Sequence, residues 1–412
     1  MTLDALSRWS FGITISLHYI FPLLTMGGFM WLFMQSLGSS SWATLKKNFS
    51  ALMLFTLLGV STGYVLKWHF ENIWTPYYNL IAEMFDPIIK WEAPISLSGF
   101  TLFFTTGLWS LKKEKRLFFQ ISAGALVLTT LVSAFSITAV NSWMQFPSGV
   151  RVMSNPLANA VERMGLWQVV FSPTFPLRFA HVLLGAALLG GTWQMLKSER
   201  MNVKSWGFLM LIWLGQLYVG HRHAGEVYAY QPEKFAAFEG HQSFFGPADL
   251  YLLPTKNHWM NLKLEGATSF MMFNDGTQPI YGLDAWKEGY LTDALDAVFK
   301  TYHLMVMLHF LIFGLLVIAY RQLRKNWATK KWVLWAIILL SFVANYAGWY
   351  TAEMGRQPWI VRGILLTKDA SVPTGVFQAY LGVGLSVVAW IVPILLWNVL
   401  DLRRRIYRWL SR

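Results

Sequence analysis

Long apolar stretches alternate with short polar, often basic, interruptions over the whole chain. Nine stretches stand out: 9–37, 48–70, 94–111, 117–140, 174–196, 206–226, 301–320, 332–352 and 374–400. Most have the roughly 20 residues a helix needs to cross hydrocarbon. Only a helix or a closed barrel satisfies backbone N–H and C=O groups at that depth, and continuous apolar runs select the helix. The pattern predicts an all-α integral membrane protein of nine transmembrane helices, one membrane domain over 1–412. A long polar loop, about 227–300, joins helices six and seven. Composition agrees: hydrophobic residues make up 55% and charged residues 13% of the chain, with a mean hydropathy of +0.40.

Charge then sets the expected orientation. Lys46 and Lys47; Lys112, Lys113, Lys115 and Arg116; Lys197, Arg200 and Lys204; and Arg321, Arg324, Lys325, Lys330 and Lys331 follow stretches one, three, five and seven. Arg403, Arg404, Arg405, Arg408 and Arg412 follow the ninth. With alternating helices all fall on one side, whereas Glu71, Glu83, Asp86 and Glu92 follow stretch two. The positive-inside rule places the N-terminus outside, the C-terminus in the cytoplasm and the 227–300 loop outside. The net charge of +13 is therefore a topology signal rather than a nucleic-acid surface. The first stretch lacks a small-residue cleavage site and reads as a retained helix. No paired broken helices in two halves suggest a transporter.

The absence of cysteine removes disulfides, iron–sulfur clusters and thiolate zinc sites, so metal chemistry must use His, Met or carboxylate. His18 and His181 lie within apolar stretches, where an ionisable ring is costly unless it is used. Each could be a haem ligand or a hydrogen-bonded core histidine. In YHLMVMLHF, Met305, Met307 and His303 compete to pair with His181. In NYAGWYTAEMGRQPW, Glu353 follows Trp349 by one turn on the same face, and Arg356 could clamp a carboxylate or propionate. An aromatic belt with a surface ion pair is the plainer alternative there. QPEKFAAFEG opens a helix at its proline, with Lys234 and Glu239 flanking an aromatic and alanine surface. That helix could hold an amphiphilic ring or lie solvated on the membrane. The glycines from Gly185 to Gly191 could serve haem packing or a membrane partner.

FGITISLHYIFPLLTMG, VNSWMQFP (Val140 to Pro147), LRFAH (Leu177 to His181), QPEKFAAFEG and AEMGRQPW, in this order on nine stretches, resemble subunit I of the cytochrome bd-type quinol oxidases. The resemblance implies that His18 ligates a high-spin haem, that Glu353 is the carboxylate at the other high-spin haem, and that Trp349 lies between them. It further implies His181 and Met305 as the axial pair of a low-spin haem b, Asn141 and Arg356 as propionate or nearby contacts, and Lys234 and Glu239 as the quinol-binding pair. Quinol would feed the low-spin haem and then a pair that reduces oxygen to water, in the bacterial cytoplasmic (inner) membrane. The partner would be a second membrane subunit, subunit II-like or a homologous subunit I.

The chain departs from the family where two glutamates are usual in the third helix, because those positions hold Ser98 and Thr106. A hydroxyl cannot replace a carboxylate as an anionic ligand. The presence of haem d therefore stays open. Glu92, six residues before Ser98, cannot substitute without a backbone shift. His303 stands where the family commonly has arginine. Two functions follow: a divergent terminal oxidase fed by quinol or another donor, or a haem b-carrying electron-transfer or scaffold subunit paired with a more typical homologue.

Overall fold

A computed structural model describes residues 2–155, 158–197, 203–251, 263–286, 294–325, 331–399 and 406. Nine long helices carry the described chain: α1 Leu3–Leu37, α2 Trp42–Asn72, α4 Ile88–Lys112, α5 Arg116–Gln145, α7 Phe175–Lys197, α8 Val203–Tyr230, α11 Leu295–Arg324, α12 Lys331–Met354 and α13 Val376–Val399. Seven are long and apolar enough to cross a membrane by length and composition. The other two, α4 and α8, have the length, 25 and 28 residues, but contain no stretch that meets the same hydropathy and charge limits together.

Several helices outrun the apolar stretches that predicted them. α1 starts at Leu3 because Thr2 caps it, its hydroxyl accepting from the Ala5 N–H at 3.2 Å, with Asp4 in the first turn. α5 continues past residue 140 to Gln145, which keeps Asn141 and Gln145 on the helix. α11 begins at Leu295, so the connection predicted as about 227–300 is 231–294. Its residues 252–262 and 287–293 lie outside the described part, as do Arg200, Lys330 and the five tail arginines.

The smaller elements all fall in connections that follow α2, α5, α8 and α12. They are α3 Thr75–Met84; the hairpin β1 Val150–Asn155 with β2 Ala158–Arg163; α6 Leu166–Val170; α9 Pro232–Glu239; β3 Phe245–Pro247; β4 Leu250–Tyr251; β5 Lys263–Leu264; α10 Ala267–Phe273; β6 Pro279–Tyr281; β7 Trp359–Val361; and β8 Leu365–Leu366. Pairing is antiparallel, β1 with β2, β3 with β6, β4 with β5 and β7 with β8. Long-range bonds gather these pieces at one end of the bundle. Arg163 Nη1 donates to the Met84 and Asp86 carbonyls at 3.0 and 2.7 Å, and Arg362 Nη1 to the Tyr230 carbonyl at 2.7 Å. At the opposite end Arg116 donates to the Ser36, Gly38 and Ser40 carbonyls and ties the α4–α5 turn to the α1–α2 turn.

α1 is central and packs on α2, α5, α7 and α13. A Cβ on Gly190 would stand 2.2 Å from the Gly27 carbonyl carbon, and one on Gly27 1.8 Å from the Ala186 oxygen, so the two backbones touch. The glycine seam on α7 therefore serves the α1–α7 crossing. Trp31 extends the contact, its indole N–H donating to the Ala187 carbonyl at 2.9 Å. Buried Leu23, Phe29, Leu32, Phe49, Leu52, Leu126 and Leu189 fill the core around it.

Candidate functional site

His18 is held by its neighbour on α2. The Thr62 hydroxyl lies 2.7 Å from the Leu58 carbonyl, to which it gives its one proton, and 2.9 Å from His18 Nδ1. It therefore accepts from Nδ1–H, which leaves the lone pair on Nε2, the nitrogen a metal would use. Thr62 is fully buried.

His181 lies on α7 with its ring against α8. Gln216 Nε2 is 3.1 Å from His181 Nε2, the His223 ring centroid is 6.1 Å away, and His181 Nδ1 is buried with no partner. Of the three candidates on α11, Met305 turns toward α12, where a Cβ on Gly348 would meet its sulfur at 2.6 Å. Met307 is exposed. His303 Nδ1 donates back to the Phe299 carbonyl at 2.9 Å, and its ring packs on Phe299 and Tyr302.

Glu353 sits in the last turn of α12. Asn141 Nδ2 donates to its Oε1 at 2.7 Å, and Arg356 Nη2 pairs with its Oε2 at 2.5 Å. Arg178 joins from α7, one turn before His181, donating to Asn141 Oδ1 at 3.3 Å. Arg178 Nε and Arg356 Nε and Nη1 are buried without partners. Trp349, one turn before Glu353, stacks on Tyr19 of α1 at 5.5 Å, and Tyr346 crosses both rings edge-on. Asn141, Glu353 and Arg356 thus form one partly buried cluster with Arg178, and Trp349 lies one turn away on the same helix; Arg178 and Arg356 are its buried members. That cluster is not a surface ion pair in an aromatic belt.

The QPEKFAAFEG segment folds as α9, and every residue from Glu233 to Glu239 is buried. This overturns the solvated surface helix. Its charges find partners that are far away in sequence. Glu233 pairs with Arg362 at 2.8 Å, and Lys234 Nζ donates to Gln145 Oε1 at 2.7 Å and to the Ala352 carbonyl at 2.8 Å. The Glu239 carboxyl accepts from Thr268 at 3.3 Å and from the Tyr302 hydroxyl. Burial pushes Glu239 up to about 7, against the lowering effect of those two bonds. Burial also holds Lys234 well below the usual ammonium range, and Arg178 and Arg356 add to the effect by repulsion.

The third-helix positions stand apart from this cluster. Ser98 is exposed. Thr106 donates to the Leu102 carbonyl at 3.0 Å and meets Ser122 of α5 at 3.0 Å. Glu92 accepts from Ser96 at 3.1 Å and Ser133 at 2.5 Å, closing the start of α4 onto α5.

Sequence reasoning missed Thr62, Arg178, Gln145, Gln216 and His223. Arg178 carried a signal, since it lies within LRFAH, inside an apolar stretch where a cation is costly. Gln145 lies in the VNSWMQFP run, just beyond the predicted end of its helix.

The chain matches the profile of the family described as cytochrome bd terminal oxidase subunit I over residues 6–408. It is 25% identical to the cytochrome bd-II ubiquinol oxidase subunit 1 of Escherichia coli (strain K12), covering 89% of both chains. It is also 25% identical to the cytochrome bd ubiquinol oxidase subunit 1 of Bacillus subtilis (strain 168), covering 89% of this chain and 86% of the relative. The solved bd oxidase from Geobacillus thermodenitrificans superposes with a TM-score of 0.81 at 20% identity, covering 98% of each chain, and shares the fold. The chain belongs to the cytochrome bd terminal oxidase subunit I family, membrane-embedded oxidoreductase subunits of the respiratory chain.

Proposed function

We propose that this chain is the haem-bearing subunit of a respiratory oxidase that passes electrons from quinol, or another donor, through a low-spin haem b to a high-spin pair that reduces oxygen to water. His181 and Met305 would hold the low-spin group, and His18 and Glu353 the high-spin pair, with Trp349 beside them. Bound haem supplies one-electron transfer and an oxygen-binding iron. The observation that carries this reading is the set of buried, unpartnered donors around Glu353: Arg178 Nε and Arg356 Nε and Nη1. An unsatisfied buried N–H costs about 1–3 kcal/mol, more on a cation, and acidic propionates would satisfy these. Asn141 and Arg356 orient Glu353 from two sides, and Thr62 presents Nε2 of His18.

The 227–300 region would form the donor site outside the membrane, on a single membrane domain of nine helices. Glu239 changes protonation near neutral pH and can take the proton that a quinol hydroxyl releases on oxidation. The basic α1–α2 and α4–α5 turns share one end, which supports a cytoplasmic face there, an outer N-terminus and a cytoplasmic C-terminus in a bacterial inner membrane. A second membrane subunit, subunit II-like or homologous, would complete the assembly.

The exposed Ser98 favours a second reading, a haem b-carrying electron-transfer or scaffold subunit without its own haem d site. A reduced-minus-oxidised spectrum of the purified chain tests both. A low-spin b-type band that His181→Ala abolishes is expected, and a chlorin band beside it selects the oxidase reading. A b-type band alone selects the scaffold reading. A colourless chain, or an unchanged His181→Ala spectrum, refutes the assignment.

A further inference from the structure

α12 ends at Met354, so the carbonyls of its last turn need partners from outside the helix. Ala352, the residue before Glu353, receives two: Lys234 Nζ at 2.8 Å and Gln145 Nε2 at 3.2 Å. Gln145 Oε1 in turn accepts from Lys234 at 2.7 Å and from Gln231 Nε2 at 3.3 Å. Gln145 is 0% and Lys234 3% exposed, so water does not compete for these bonds.

The lysine stem lies on the turn that joins Glu353 to Arg356. A Cβ on Gly355 would come within 2.9 Å of Lys234 Cε and 3.0 Å of Cγ. On α5, Asn141 and Gln145 are one turn apart; the first holds the Glu353 carboxylate and the second holds the backbone beside it.

We propose that Lys234 and Gln145 are positioning residues that tie α9 of the donor loop to the last turn of α12, holding Glu353 in place. This rests on the function proposed above and gives Lys234 a second role beside the expected donor contact. Glu239 bonds to Thr268 and Tyr302 five residues further on and keeps the proton-accepting role. Movement of α9 would then be felt at Glu353 through three hydrogen bonds, without any change in α12 itself.

The test uses the full chain in its membrane assembly, with Lys234→Met, Gln145→Leu and Glu239→Gln. Lys234→Met and Gln145→Leu are expected to shift the midpoint potential of the high-spin haem at Glu353, poised with mediators and no quinol, and to change cyanide affinity about tenfold, the scale of an outer-shell loss. Both should also speed amide exchange over residues 350–356. Glu239→Gln should leave all three readouts at parental values and flatten the pH profile of donor oxidation. Gln145→Glu keeps an acceptor for Lys234 but loses the N–H to Ala352. It should give an intermediate shift and serves if either larger change prevents assembly. Slower donor oxidation in Lys234→Met with parental potential, cyanide affinity and exchange would overturn the proposal. A parent without haem would defeat the proposed function instead, and the exchange measurement would still decide the tether.

Discussion

Glu239 provides the sharpest pH prediction. Its carboxyl is 3% exposed, and burial raises it from an ordinary 4.5 to about 7. Below 4.5 both folded and unfolded chains hold the proton and stability is unaffected. Between 4.5 and 7 the unfolded chain ionises first, so the folded state loses stability as pH rises, and the loss levels off above 7. At 1.36 kcal/mol per pH unit the interval amounts to about 3 kcal/mol. Glu239→Gln keeps a neutral acceptor for Tyr302 and Thr268 and removes the cost of ionisation. Thermal unfolding in nanodiscs should therefore show the variant gaining on the parent progressively from pH 5 to pH 8, with no gain at the acid end. A difference that stays constant across that range would refute a buried, neutral Glu239. Donor oxidation by the parent should accelerate through pH 7 as the carboxylate forms, and the variant should show no such rise.

Two further outcomes test the frame around the site. Gly190→Ala drives a Cβ into the Gly27 backbone and should cost about 1–3 kcal/mol, read as a lowered unfolding temperature and reduced haem content; Gly207→Ala, with nothing within 4 Å, should match the parent. Thr62→Val removes the side-chain acceptor of His18 Nδ1–H and, with haem bound as proposed, should alter the iron–histidine vibration by resonance Raman, with Thr62→Ser restoring it; an unaltered band in the valine variant would show that the Gly59 carbonyl suffices to orient the ring.

Much of the fold was legible because a membrane imposes one length on every crossing, and each of the nine apolar stretches coincides with one long helix to within a few residues at most ends. Helix ends were not legible, since α5 continues to Gln145 and α11 starts at Leu295 through residues that hydropathy alone assigns to loops. Trp349 and Glu353 could be placed on one face from their spacing. Their partners Tyr19 and Asn141 could not, because those lie more than 200 residues away in the chain. The charges of α9 read as a solvated face since local pattern carries no information about Arg362, Gln145 or Thr268, the groups that make burial tolerable. The α7 glycines signalled close approach but not to what.

The touching backbones of α1 and α7 have one more consequence. His18 precedes Gly27 by nine residues, and His181 precedes Gly190 by nine. The helices run the same way, since Gly27 meets Ala186 and Trp31 meets Gly191 one turn on. At 1.5 Å per residue both imidazoles stand about 13 Å along their axes from the common pivot, at comparable depth. If both hold haem as proposed, charge exchanged between them would move parallel to the lipid plane and do no work against the transmembrane voltage, whereas one elementary charge carried fully across would exchange about 2.3 kcal/mol per 100 mV. On that arrangement, voltage sensitivity of turnover would enter through charge movements perpendicular to that plane, proton uptake among them.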